Sequence, residues 1–149
     1  MKKGFLKILA VAGILFLAVS AHGQIWYDNY NAAEKKCEET GKPMLVIFLP
    51  ERSMKSNTLI NSREFKNFAR NNLVLMHVKT IYKKVNGKYT YVPVKPQNSK
   101  FADKFEVEYS TGRLYDPKSG KTSTISVWSE KIDKTIERME NFVKKVQID

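Results

Sequence analysis

Side chains able to act as nucleophiles or metal ligands are scarce in this chain, and their scarcity narrows the chemistry. The only cysteine is Cys37, and the two histidines are His22 and His77. Three or four Cys or His ligands for a structural zinc cannot be assembled from these. A single cysteine also excludes an intramolecular disulfide. A Ser–His or Cys–His nucleophile would depend on His77, which lies in the apolar run Leu73 to Val78 and alternates with Leu73 and Leu75. A histidine satisfied within a sheet is expected there rather than a general base. Cys37 follows Ala33 by four residues, so burial as a small apolar group is expected, with an exposed thiol that pairs with another molecule as the alternative. Beyond residue 23 the glycines are Gly41, Gly87, Gly112 and Gly120, too far apart for a phosphate-binding loop. No cofactor and no metal are expected.

Charge and aromatic side chains offer a second kind of chemistry, recognition. The 149 residues include 26 Lys or Arg and 15 Asp or Glu. Most of this surplus falls on residues 79–104, which carry seven basic side chains and one acidic. Within them, residues 81–92 read as a β-hairpin around the two-residue turn Asn86-Gly87. That turn sets Lys84 opposite Tyr89 and Tyr82 opposite Tyr91, so these four share one face. Tyrosine beside lysine suits an acidic or polar partner. The competing expectation is that the tyrosines pack on the domain while the lysines keep an edge strand from aggregating.

The elements that must position these residues follow from periodicity. Residues 1–23 read as a removable signal peptide. Lys2, Lys3 and Lys7 precede the apolar stretch Ile8 to Val19, and Ala21-His22-Gly23 supplies small residues before a cleavage site. Twelve apolar residues are too few for a helix to span a bilayer core of about 30 Å, so no transmembrane segment is expected once this leader is removed. Residues 24–149 then form one domain with a formal charge of +8, since three of the 26 basic residues belong to the leader.

Within that domain, residues 28–40 are expected to be helical, with Gly41 as C-cap and Pro43 beyond it. Met44 to Phe48 has the continuous apolarity of a strand buried on both faces. A polar stretch from Leu49 to Ile60 follows. Asn61 and Glu64 offer a capping box for a helix over about 62–71 that turns Phe65, Phe68 and Ala69 inward. Leu73 to Val78 reads as a second buried strand. After the hairpin come a short helix over about 99–105, strands at Leu114 to Asp116 and Thr122 to Trp128, and a final helix capped by Ser129. The apolar positions of that helix are Ile132, Ile136, Met139, Val143 and Val146. Trp26 and Trp128 are expected as core or rim aromatics. The fold class is α/β, a central mixed sheet with helices on both faces and an inserted β-hairpin at about 79–97.

The stretches AAEKKCEETGKPMLVIF, NSREFKNFARNNLVLMHV and FADKFEVEYST…LYDPKSGK stand in an order that resembles small exported thioredoxin-like proteins. The resemblance implies a thioredoxin-like fold, and it places the redox motif Cys-x-x-Cys five residues past Phe48. Here that position reads Ser53-Met54-Lys55-Ser56. Leu59 matches an apolar position three residues past the motif, and the helix that follows is about one turn short. Ser110-Thr111 stands where the resemblance implies Pro-Thr. Thiol exchange needs a thiolate, which a serine hydroxyl cannot replace near neutral pH. Ser53 is expected instead to cap the helix that follows it.

Three functional classes follow. The first is a redox-inactive thioredoxin-fold protein of the cell envelope, exported to a periplasm or secreted. It would act as a binding, chaperone-like or regulatory module on an exported or envelope protein, an acidic one suiting the lysines. The second is a relative of thiol–disulfide oxidoreductases that uses Cys37 or an external thiol. The third is a basic adaptor for an anionic envelope surface. Nucleic acid is not an expected partner, because the leader directs the chain out of the cytoplasm.

Overall fold

Long apolar runs and capped amphipathic helices fix the architecture. The computed structural model describes residues 24–95 and 111–148. In chain order the elements are β1 (Trp26–Tyr27), α1 (Tyr30–Thr40), β2 (Met44–Leu49), α2 (Glu51–Ser56) and α3 (Arg63–Asn72). These are followed by β3 (Val74–Val85), β4 (Lys88–Pro93), β5 (Thr111–Tyr115), β6 (Thr122–Ile125) and α4 (Ile132–Ile148). The expected helix over 99–105 and the residue Ser110 lie outside the described residues. Among the described residues, no helix is long and apolar enough to cross a membrane.

The sheet order is β1-β3-β2-β5-β6, and β4 pairs with β3 off that path. β1 and β2 run parallel to β3, whereas β5 runs antiparallel to β2 and β6 antiparallel to β5. β2 is buried along its whole length, as its unbroken apolarity requires. Leu45, Ile47 and Leu49 point to the face covered by α3 and α4, where Phe65, Met139 and Val143 meet them. Met44, Val46 and Phe48 point to the other face, against Ala33 and Cys37 of α1. Each such side chain contributes roughly 1.5–3 kcal/mol by leaving water. Gly112 of β5 stands opposite Ile47, and a Cβ there would lie 3.0 Å from Ile47 Cδ1 and 3.1 Å from Val127 Cγ1, so close packing on the face covered by α3 and α4 selects glycine.

Local signals set the element ends, and several differ from expectation. Asn29 caps α1 by accepting from the Ala32 amide at 3.0 Å, and Gly41 closes it in the left-handed region at φ 74°. The cap of α3 is Ser62, whose hydroxyl accepts from the Phe65 amide at 3.1 Å, and not Asn61. The Asn61 amide is drawn backward instead, donating to the Met54 and Asn57 carbonyls at 3.0 and 2.7 Å. Ser129 accepts from the Lys131 amide at 3.1 Å, closing a turn ahead of α4, and the first helical bond runs from Thr135 N to Lys131 O. Phe142, outside the expected stripe of α4, is buried with Met139 and Val143. The expected strand to Trp128 ends at Ile125, leaving Trp128 55% exposed, whereas Trp26 stacks on Phe65 at 6.4 Å.

Candidate functional site

The described site residues expected from the sequence fall in two regions: the segment after β2, where an exchange motif would sit, and the hairpin. The stretch after Leu49 is not merely polar loop. Pro50 starts α2 because its fixed φ of −59° suits a helix entry and it has no amide to satisfy. Ser53 therefore stands inside this six-residue helix rather than at its cap, and Pro50 makes no side-chain capping bond. The Ser56 hydroxyl turns back to the Arg52 carbonyl at 3.4 Å, the local bonding open to serine in a helix. Asn57 is buried and ends α2. It donates to the Val127 carbonyl at 2.8 Å and accepts from the Ile60 amide at 2.9 Å, tying the α2–α3 connection to the chain after β6. Leu59 beside it is fully buried. Asn57 thus ends α2 well before α3 begins, and the expected polar stretch from Leu49 to Ile60 contains a short helix of its own.

Among the described residues no side-chain base is hydrogen-bonded to Ser56, whose hydroxyl meets only backbone carbonyls. The one imidazole among the described residues is His77, and its Nε2 lies 2.7 Å from the Leu49 carbonyl. A carbonyl can only accept, so Nε2 donates and the ring is satisfied within the sheet. Burial holds the His77 pKa below the ordinary imidazole value. Cys37 lies across the sheet from this segment: it packs with Phe48 and Met76, whereas Met54 of α2 packs with Leu45 and Leu49. Its thiol is buried, and burial pushes its pKa up to about 12, with the Asp116 and Glu34 carboxylates acting in the same direction. Such a thiol is the opposite of a reactive one. Among the described residues, no three His, Cys, Asp or Glu side chains converge as metal ligands would.

The hairpin takes the expected register, with Tyr82 opposite Tyr91 and Lys84 opposite Tyr89. Asn86 and Gly87 both have positive φ, 50° and 83°, the geometry that a two-residue hairpin turn demands. Tyr82 stacks on Tyr89 at 5.5 Å and tilts against Tyr91 at 4.9 Å, and Lys84 Nζ lies 6.0 Å over the Tyr89 ring. Tyr82 and Tyr89 do not pack on the domain, being 59% and 62% exposed, whereas Tyr91, nearer the base, is half-buried. The expected break between the buried strand and the hairpin does not exist either, since β3 runs unbroken from Val74 through Val85. At the base of the hairpin, Lys79 pairs with Glu51 at 3.2 Å and Lys95 pairs with Asp28.

This topology matches a solved structure titled DsbH Oxidoreductase with a TM-score of 0.56, covering 77% of this chain and 86% of that one. The chain has a thioredoxin-like fold. At 16% identity the likeness speaks for the fold alone. No family model and no curated protein matches the chain. The thioredoxin-like framework thus brings Ser53 and Ser56 together on α2 after β2, and it gathers Tyr82, Lys84, Tyr89 and Tyr91 on one face of an arm that leaves the sheet.

Proposed function

We propose that this chain is a redox-inactive thioredoxin-fold module of the cell envelope that acts by binding, through its hairpin rather than through thiol exchange. In this reading residues 1–23 are the export signal, residues 24–149 the domain, and the protein works in a periplasm or outside the cell. Ser53 and Ser56, with Ser110 beyond them, occupy degenerate redox positions. Tyr82, Lys84, Tyr89 and Tyr91 supply binding contacts to an envelope component, an exported protein or an anionic surface. The observation that carries the reading is the inversion of exposure: the only thiol is buried with a raised pKa, while Tyr82, Lys84 and Tyr89 are open to solvent.

The test is turnover. The wild-type protein should not reduce insulin disulfides or oxidise model dithiols, and Ser53→Cys with Ser56→Cys should recover at most weak exchange, because these positions lie within α2 rather than at its start. Activity in the wild type that Cys37→Ala abolishes would overturn the reading in favour of an oxidoreductase using Cys37. Alkylation checks the same point: iodoacetamide should label Cys37 slowly in the folded protein at pH 8 and rapidly in denaturant. On the binding side, Tyr89→Ala with Tyr91→Ala should weaken capture of the partner from an envelope fraction by about tenfold, as loss of aromatic anchors does. Lys83→Glu with Lys84→Glu should weaken it more at low salt than at high salt.

A further inference from the structure

The surface is divided unevenly. Eight large hydrophobic side chains are exposed among the described residues, and five of them, Ile81, Tyr82, Val85, Tyr89 and Val94, lie on the hairpin or just past it. The same segment, residues 79–95, holds five lysines and no acidic residue. Two of these lysines, Lys79 and Lys95, are paired at the base. The other three, Lys83, Lys84 and Lys88, flank the Asn86-Gly87 turn and form no ion pair among the described residues.

Resting on the binding role proposed above, we infer that the outer part of the hairpin is an anchor for an anionic lipid surface, with Lys83, Lys84 and Lys88 on headgroup phosphates and Tyr82, Tyr89 and Ile81 at the interface. Three features favour a bilayer over a protein. Register puts exposed apolar groups on both faces of the arm, Tyr82 and Tyr89 on one and Ile81 and Val85 on the other. A partner protein docking on one face would leave the other exposed, whereas a lipid interface surrounds both. All three free cations are lysines, point charges suited to phosphate and depleted at protein interfaces, and the segment holds no arginine for bidentate recognition of carboxylates. Tyrosine and lysine both pair an apolar body with a polar tip, which suits the headgroup level of a membrane.

The test is partition onto vesicles, with wild type and variants prepared from cells in the same form so that any contribution of residues 1–23 is common to all. Vesicles of equal parts phosphatidylglycerol and phosphatidylcholine should bind the wild type at low salt, and pure phosphatidylcholine should bind it far less. Lys83→Gln, Lys84→Gln and Lys88→Gln together should lower anionic partition roughly a hundredfold, since each basic side chain near such a surface contributes about fivefold. Tyr82→Ser with Tyr89→Ser should lower it at least about tenfold, with circular dichroism confirming the fold in both variants. Equal partition of wild type and lysine variant, or equal binding to both vesicle types, would overturn the inference. Binding to soluble polyglutamate that the lysine variant loses, without binding to vesicles, would also overturn it. That outcome would leave the redox-inactive binding module standing with an acidic polypeptide as its partner. Insulin turnover would count against that module without touching the vesicle result.

Discussion

β3 is one strand in two environments. From Val74 to Val78 its side chains are buried, apart from the half-buried His77, and β2 and β1 flank it; from Ile81 to Val85 every residue is exposed and β4 is the partner. The backbone ladder is continuous, so only the side chains differ: Val-Leu-Met-His-Val in the first part, Ile-Tyr-Lys-Lys-Val in the last. Hydrogen bonding makes the strand, and burial decides what its parts can do. The inner part holds the domain together, while the outer part is free to meet something else.

The sharpest way to break this contrast is to truncate one residue in each part. Met76→Ala should cost about 2–5 kcal/mol in chemical denaturation, the range for a large side chain removed from a sealed core. Tyr82→Ala should cost about 1 kcal/mol or less, the value of cross-strand aromatic contacts. Equal costs would mean that the arm belongs to the core. Gly87→Ala comes next. It places a Cβ at φ 83° and should cost about 1–2 kcal/mol. That loss should register as faster amide exchange over residues 81–92, with little change in the midpoint of global unfolding.

His77 lies within the inner part and gives the smallest effect. Its folded pKa is depressed, chiefly by burial, so the unfolded chain takes up a proton more readily. The stability from keeping it neutral is present above the unfolded imidazole value of about 6.5 and is lost as pH falls through the folded value. Denaturation midpoints should therefore fall on acidification from pH 7, and His77→Gln, which retains a donor for the Leu49 carbonyl, should flatten that part of the profile.

The outer part of β3 was plain in the sequence and the segment after β2 was not. Asn86-Gly87 fixes a turn from two residues alone, and register then follows by counting, so the pairing of Tyr82 with Tyr91 needed no tertiary information. The apolar runs Met44 to Phe48 and Leu73 to Val78 were equally readable, because burial on both faces leaves no room for polar residues. In contrast, α2 has six residues, none of them buried, so no periodicity announces it. Asn61 and Ser62 are adjacent residues of capping type, and the choice between them rests on carbonyls at Met54 and Asn57 that only the folded chain brings near. Lys79 and Thr80 read as a break in β3, yet a ladder accepts polar residues wherever the backbone pairs. Exposure of the tyrosines was open in the sequence for the same reason: pairing fixes which side chains share a face but not what that face meets.

The base of the arm has a mechanical consequence. The ladder continues past Pro93, with the Val94 amide donating to the Lys79 carbonyl at 2.8 Å, and the pairs Lys79–Glu51 and Lys95–Asp28 fasten the arm to the start of α2 on one side and to the residue after β1 on the other. Exposed ion pairs of this kind add little stability, but two of them on different elements oppose swivelling. Six residues of β3, from Thr80 to Val85, extend beyond the last residue paired with β2, and at about 3.3 Å each they reach about 20 Å. A partner gripping the tip would therefore hold the rest of the molecule at a set height and in a set attitude, like a sign on a post, with the opposite end of the sheet turned outward.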